Sequence, residues 1–201
     1  MKRSNQEDHL ITPDNSLLLI IDYQPTQVQS VNSINRTKLV KNIGIVAKIA
    51  QTYQLPIILS TVNVKTGRNQ ETIASLKTIL GSIYSYDRTM INAWEDQEFY
   101  LAVKNSGRKK LIITALWTEA CLTFPTLDAL KEGYEVYPIV DAVGGTSNLA
   151  HETALRRVEQ AGAKLITIPQ LICELQRDWA RSETVAKFVE ILQEAGAFLK
   201  L

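Results

Sequence analysis

From residue 16 onward the chain alternates short apolar runs with longer amphipathic ones. The run Ser16–Ile21 is apolar, ends in Asp22 and reads as a parallel strand buried on both faces. Residues 37–53 place Leu39, Val40, Ile43, Val46, Ala47, Ile49 and Ala50 at helical spacing. The same reading predicts strands over residues 56–59, 82–86, 110–115, 134–140 and 164–168. It predicts helices over residues 71–80, 96–105, 119–131 and 148–161, with Gly107, Gly133 and Gly162 as stops, and two more in the tail, 169–201. Strand alternating with helix implies a Rossmann-like α/β domain: a three-layer α/β/α sandwich around a mostly parallel, six-stranded sheet. No repeat, low-complexity tract or linker divides the chain, so residues 1–201 read as one domain, with residues 1–13 as a flexible amino-terminal segment.

Composition narrows the function classes. The 201 residues suit one well-buried core. Hydrophobic residues make up 45% and charged residues 21%, with a net charge of +1, so no basic surplus points to nucleic acid or an anionic membrane. The polar amino terminus lacks the apolar core of a signal peptide, and no apolar run reaches the ~20 residues needed to cross a bilayer. A cytoplasmic location is the expectation. Two cysteines, Cys121 and Cys173, argue against a disulfide framework, though a single bridge stays open. Asp22-Tyr-Gln-Pro-Thr-Gln27 follows the first strand without a glycine, and no dinucleotide or P-loop fingerprint occurs anywhere, so no phosphate cradle and no nucleotide cofactor are expected. His9 and His151 are the only histidines, which leaves zinc spacing unsatisfied and no metal expected. His9 falls in the amino-terminal segment, and His151 reads as a solvated residue in a first helical turn.

The candidate chemistry sits at the carboxyl edge of the predicted sheet, where open α/β folds build their sites. Asp22 ends the first strand, Arg88 follows the third, and Cys121 follows the fourth. With Thr118 as N-cap, the Cys121 thiol lies in the first turn of a helix, where the dipole favours the thiolate. Together the three supply a nucleophile, an acid/base carboxylate and a cation. Cys173 and Asp141 read as structural, Glu119 as serving the helix start, and Pro125 as the source of a local kink.

Several segments carry a resemblance. Arg88-Thr-Met-Ile-Asn-Ala-Trp94 is similar to the K-x-x-x-S-A-F element of the isochorismatase-like cysteine hydrolases. Leu18-Leu-Ile-Ile-Asp-Tyr-Gln24 resembles their first strand, and Thr114-Ala-Leu-Trp-Thr-Glu-Ala-Cys121 their nucleophile turn. Tyr137-Pro-Ile-Val-Asp-Ala142 resembles the next strand. Arg88 with Asn92-Ala-Trp94, Phe124-Pro125, and the stretch from Cys173 to Trp179 resemble the YcaC-like branch. The resemblance implies hydrolysis of a small amide or related acyl C–N bond through a Cys121 thioester, with Asp22, Arg88 and Cys121 as the catalytic set. It implies a cis Leu116–Trp117 peptide that aims the Trp117 N–H, with that of Cys121, at an oxyanion. Gln24, Asn92, Trp94 and Trp117 are the candidate substrate-pocket residues. It also implies a homo-oligomer, with an octamer as the candidate state, in which tail residues 169–201 can join subunits. Arg88 stands where the superfamily has lysine. A guanidinium stays protonated and cannot shuttle a proton, which separates this chain from the lysine-bearing amidases. Two alternatives stay open: a hydrolase acting on a non-amide bond, and a non-enzymatic oligomeric binding or redox-sensing protein with a reactive thiol.

Overall fold

The structure is a computed structural model that describes residues 8–197. Five parallel strands form one sheet: β1 (Ser16–Ile21), β2 (Ile57–Val62), β3 (Ser85–Arg88), β4 (Lys110–Ala115) and β5 (Glu135–Pro138). Their order is β3-β2-β1-β4-β5, so the order reverses between β1 and β4. β1 is buried along its whole length, as its unbroken apolar run requires. Helices cover both faces. α2 (Arg36–Thr52), α3 (Ala74–Leu80), α7 (Ile168–Gln176) and α8 (Ser182–Glu194) pack on the face that carries Leu18, Ile20, Leu59 and Ile112. α4 (Gln97–Asn105) and α5 (Thr123–Lys131) pack on the face that carries Leu17, Leu19, Ile21 and Ile113. The six-residue helix α1 (Pro25–Ser30) follows β1, and α6 (Asn148–Gln160) packs beside α5. No described helix is long and apolar enough to cross a membrane.

The sixth expected strand is reduced to a single bridge, Ile166 to Ile139. Lys164 and Ile166 donate to Val136 and Pro138, and Val140 donates to Ile166. The bond that would continue the ladder is a backbone N–H of residue 138 to the Lys164 carbonyl. Pro138 has no such donor, so pairing stops there. The third strand also lies later than predicted: β3 begins at Ser85, which makes Arg88 its last residue. The expected flexible segment is in part a packed one. Residues 1–7 lie outside the described residues, but Ile11 is fully buried and its amide donates to Glu174 Oε2 at 2.8 Å. Asp8 pairs with Arg177 at 3.1 Å. The tail packs its Leu171, Leu175, Phe188 and Leu192 into the core, while Trp179 is exposed; Phe198 lies outside the described residues.

At the amino edge of the sheet, β4 and β5 place Lys110 opposite Glu135. The buried Lys110 ammonium donates to Glu135 at 3.0 Å and to the His9 carbonyl at 3.0 Å. Partial burial raises the Glu135 pKa, but hydrogen bonds from Lys164, Lys110 and Tyr137 outweigh it and hold the pKa at about 2. A depressed folded pKa stabilises the protein above the ordinary carboxylate range, and that contribution fades as pH falls toward 2. Wild type is therefore expected to lose stability between pH 4.5 and 2 more steeply than Glu135→Gln, as read by urea denaturation across that range.

Candidate active site

The reversal in strand order opens the carboxyl edge of the sheet between β1 and β4, and two of the three candidate residues leave from those strand ends. Asp22 follows β1 in the left-handed region, with φ 62°. Aspartate is among the few residues that tolerate that conformation. The turn is held by the Asp22 N–H donating to the Ser60 carbonyl at 3.0 Å and by the Gln24 N–H donating to the Asp22 carbonyl at 2.8 Å. The carboxylate is thereby aimed across β2 toward the end of β3. There Arg88 meets it with two parallel bonds, Nη1 to Oδ1 and Nη2 to Oδ2, each 2.7 Å, with both side chains fully shielded from solvent. Ser60 Oγ, the Thr61 carbonyl and the Ile91 carbonyl accept the remaining bonds from Nη1 and Nη2, at 3.0–3.1 Å. Burial opposes the guanidinium's charge, but Asp22 outweighs it, so the Arg88 pKa lies above its ordinary value. Nε has no partner among the described residues.

Cys121 arrives from the other side. The Leu116–Trp117 peptide is cis, and Trp117, not Thr118, occupies the cap position. Residues Thr118–Leu122 form a π turn ahead of α5. Pro125 sits in the first turn of α5, so the expected kink takes the form of this wider turn at the helix entrance. π turns of this kind recur at functional sites. Thr118 instead bonds His151 Nδ1 through its hydroxyl at 2.8 Å, and the Glu119 carboxylate accepts from the Thr146 N–H and hydroxyl. His151 is half-buried, not solvated, and burial lowers its pKa against the raising charges of Glu119 and Glu152. These contacts bolt the turn to the loop after β5, where Gly144 accepts from the Thr118 N–H at 3.0 Å. A Cβ on Gly144 would lie 2.6 Å from Val31 Cγ1, so the approach needs glycine.

Cys121 is buried, with 8% of the residue exposed. Its electrostatics run against the expected thiolate. Burial pushes the Cys121 pKa well above the ordinary thiol value, and the charge of Asp22 and its hydrogen bond with the thiol push the same way. Arg88 and the Trp117 backbone N–H pull it down by less. The reason is a charge count. Asp22 and Arg88 already neutralise each other, so ionising the sulfur would leave a net negative charge in a buried site. Burial and the Asp22 carboxylate thus both favour the neutral thiol at Cys121.

A family model for the isochorismatase domain matches residues 16–170. The chain belongs to the isochorismatase family. It is 35% identical to the probable hydrolase YcaC of Escherichia coli (strain K12) over 167 residues, 83% of this chain and 80% of that protein. YcaC from Pseudomonas aeruginosa, solved with hexane-2,5-diol and covalent acrylamide, superposes with a TM-score of 0.87 at 32% identity. The match covers 92% of this chain and 91% of that one. The Escherichia coli YcaC structure, an octameric hydrolase of unknown specificity, gives 0.86 at 32% identity, over 93% and 91% of the two chains.

Within this isochorismatase fold the other expected site residues divide. Trp117 stays beside Cys121, its indole donating to Ser30 Oγ at 2.7 Å. The polar atoms of Gln24 are taken up by backbone: Nε2 donates to Val62 and Gln70, and Oε1 accepts from the Val62 N–H. It clamps the loop after β2 and offers no free group to a substrate. Asn92 caps its own turn through the Trp94 N–H and ties it to Asp128 at 2.7 Å. Trp94 is a core residue, edge-on to Tyr100 and Tyr134 with its indole donating to Glu132. Asp141 is structural as expected, accepting from the Ile168 N–H at the start of α7. Cys173 is not a buried structural residue: it is exposed, and both cysteines are free. Sequence reading missed Ser60 and the pair Gly144-Gly145, and gave Thr118 and His151 other roles. The polar Ser60 within the apolar β2, and two glycines after a strand, were the available signals. Among the described residues no group of three His, Cys, Asp or Glu side chains gathers in a metal-binding arrangement.

Proposed function

We propose that this chain is a cysteine-dependent hydrolase that cleaves a small amide or related acyl C–N bond through a thioester on Cys121. The observation that carries the reading is a carboxylate, Asp22, held at both oxygens by a buried guanidinium, with Cys121 beside it. Each Asp22 oxygen keeps a lone pair beyond its bond to Arg88, which leaves room for the thiol proton. Because burial and Asp22 favour the neutral thiol, in this reading proton transfer to Asp22 accompanies attack. Sulfur bonds to the carbonyl carbon while its proton passes to Asp22. The carbonyl oxygen gains the negative charge, and in this reading the Trp117 and Cys121 backbone amides stabilise it. The C–N bond then breaks and Asp22 returns the proton to the leaving nitrogen, with the acyl group on sulfur. Water adds to the thioester as Asp22 takes one of its protons. The C–S bond breaks, the proton goes back to sulfur, and the acid leaves. Arg88 keeps Asp22 oriented and the site neutral throughout and moves no proton.

The relatives support this reading. One is solved with covalent acrylamide, an electrophile that adds to nucleophiles and is itself a small amide. The other is an octameric hydrolase. We extend the oligomeric state to this chain as a homo-oligomer, and propose a small-molecule substrate and no cofactor on the sequence reading. The exposed Leu149, Ile91 and Trp179 supply apolar surface for subunit contacts. A cytoplasmic setting suits a thiol chemistry of this kind. The test is intact-mass spectrometry of acid-quenched turnover over a panel of small amides and esters. A hydroxylamine-labile acyl mass on the peptide containing Cys121 is expected. Turnover of the same substrate with no acyl mass at any quench time would place the chain with hydrolases of non-amide bonds.

A further inference from the structure

We propose that His151 is a positioning residue for the thioester chemistry: its neutral imidazole accepts a hydrogen bond from the Thr118 hydroxyl at Nδ1 and so fixes the turn that carries Trp117 and Cys121. This role rests on the reading of Cys121 as the nucleophile. Thr118 follows Trp117 directly and lies three residues before Cys121. It is fully buried, and each of its polar atoms is engaged. Its N–H donates to the Gly144 carbonyl at 3.0 Å, and its carbonyl accepts from the Thr123 hydroxyl at 2.7 Å. Its hydroxyl meets His151 Nδ1 at 2.8 Å, which ties the turn to α6. Gly145 permits that approach: a Cβ there would lie 2.6 Å from Glu119 Oε2 and 3.2 Å from His151 Cα.

The burial of Thr118 decides which way this hydrogen bond runs. Among the described residues its hydroxyl has no partner besides His151 Nδ1. If Nδ1 carried the proton, the Thr118 O–H would be left in the interior with nothing to accept it, which is costly and rare. The hydroxyl therefore donates, and His151 is the tautomer protonated at Nε2. His151 is also the fourth residue of α6, where the helix dipole disfavours an imidazolium. Glu119, on the turn, and Glu152, on α6, favour the charged form, and burial outweighs them. A turn released from α6 can shift Trp117 and Cys121 together, and a misplacement of about 1 Å costs on the order of 10²-fold in rate.

The test uses the full chain and two readouts. Long-range proton–nitrogen NMR reads the imidazole tautomers, with His9→Gln assigning the two histidines. At neutral pH, His151 is expected to show an unprotonated Nδ1 that accepts a hydrogen bond and a protonated Nε2. Kinetics use the best substrate of the amide and ester panel. Thr118→Val and His151→Leu are each expected to lower kcat by about ten-fold or more with little change in KM, with circular dichroism checking the fold. Thr118→Ser keeps the hydroxyl, and His151→Asn keeps an acceptor close to the Nδ1 position without a titrating group. Both are expected to stay within about three-fold of wild-type kcat. A proton on Nδ1 would overturn the proposal. So would full activity of Thr118→Val or His151→Leu, or equal losses in His151→Leu and His151→Asn. Cys121→Ala is expected to leave the His151 tautomer unchanged, so an active Cys121→Ala protein counts against the thioester alone, and an active Thr118→Val protein against the positioning role alone.

Discussion

Cys121→Ala is expected to lower turnover by on the order of 10⁴-fold or more while leaving the fold in place. The size of the loss follows from the role: with no sulfur, no thioester forms, and what remains is positioning and oxyanion stabilisation. The small structural effect follows from the packing. The thiol lies in the core cluster with Leu122, Ala115 and Trp94, and removing one buried atom costs about 1–2 kcal/mol through the cavity it leaves. Circular dichroism and a thermal melt check the fold, and steady-state kinetics check the loss. A Cys121→Ala protein that kept full activity would end the thioester mechanism. It would favour a reaction in which Asp22 acts alone as acid, as cleavage of a non-amide bond allows.

Arg88→Met is expected to be the most damaging single change to stability, at about 3–5 kcal/mol, because it leaves the Asp22 carboxylate buried without its partner. Arg88→Lys is expected to cost less, since an ammonium still supplies charge but cannot hold both oxygens in one plane. The double variant Asp22→Asn with Arg88→Met removes both charges, so it is expected to recover much of the lost stability and none of the activity. A urea double-mutant cycle measures the coupling directly. If Arg88→Met melted like wild type, the pair would have to be open to water in solution, and the neutral-site argument for the thiol would fall with it.

The parts of this fold that were legible in the sequence are those where burial acts on consecutive residues. β1 and β4 stand out because both faces of the sheet are covered, so nearly every position is apolar. The convergence of Asp22, Arg88 and Cys121 was legible for the same reason, since each lies at the carboxyl end of a strand. What could not be read was how polar atoms are used. Gln24 and Asn92 carry the right groups near the right strands, yet their amides are taken up by Val62, Gln70, Trp94 and Asp128, partners brought in by the fold. A helix start suggests an ionised sulfur at Cys121. The buried, already neutral Asp22–Arg88 pair reverses that preference, and no local pattern records it. The missing sixth strand was written in Pro138, whose absent N–H outweighs the apolar character of residues 164–168.

The left-handed backbone at Asp22 has an evolutionary corollary. Few side chains are comfortable there, and the substitutions that suit the backbone best, asparagine and glycine, are each a single base change from an aspartate codon. On the proposed mechanism either would silence the chemistry, yet neither is structurally innocent, because Arg88 would be stranded in the interior. Decay toward an inactive descendant by this route therefore exposes itself to selection on folding, and a surviving pseudoenzyme of this lineage would be expected to carry a compensating change at position 88.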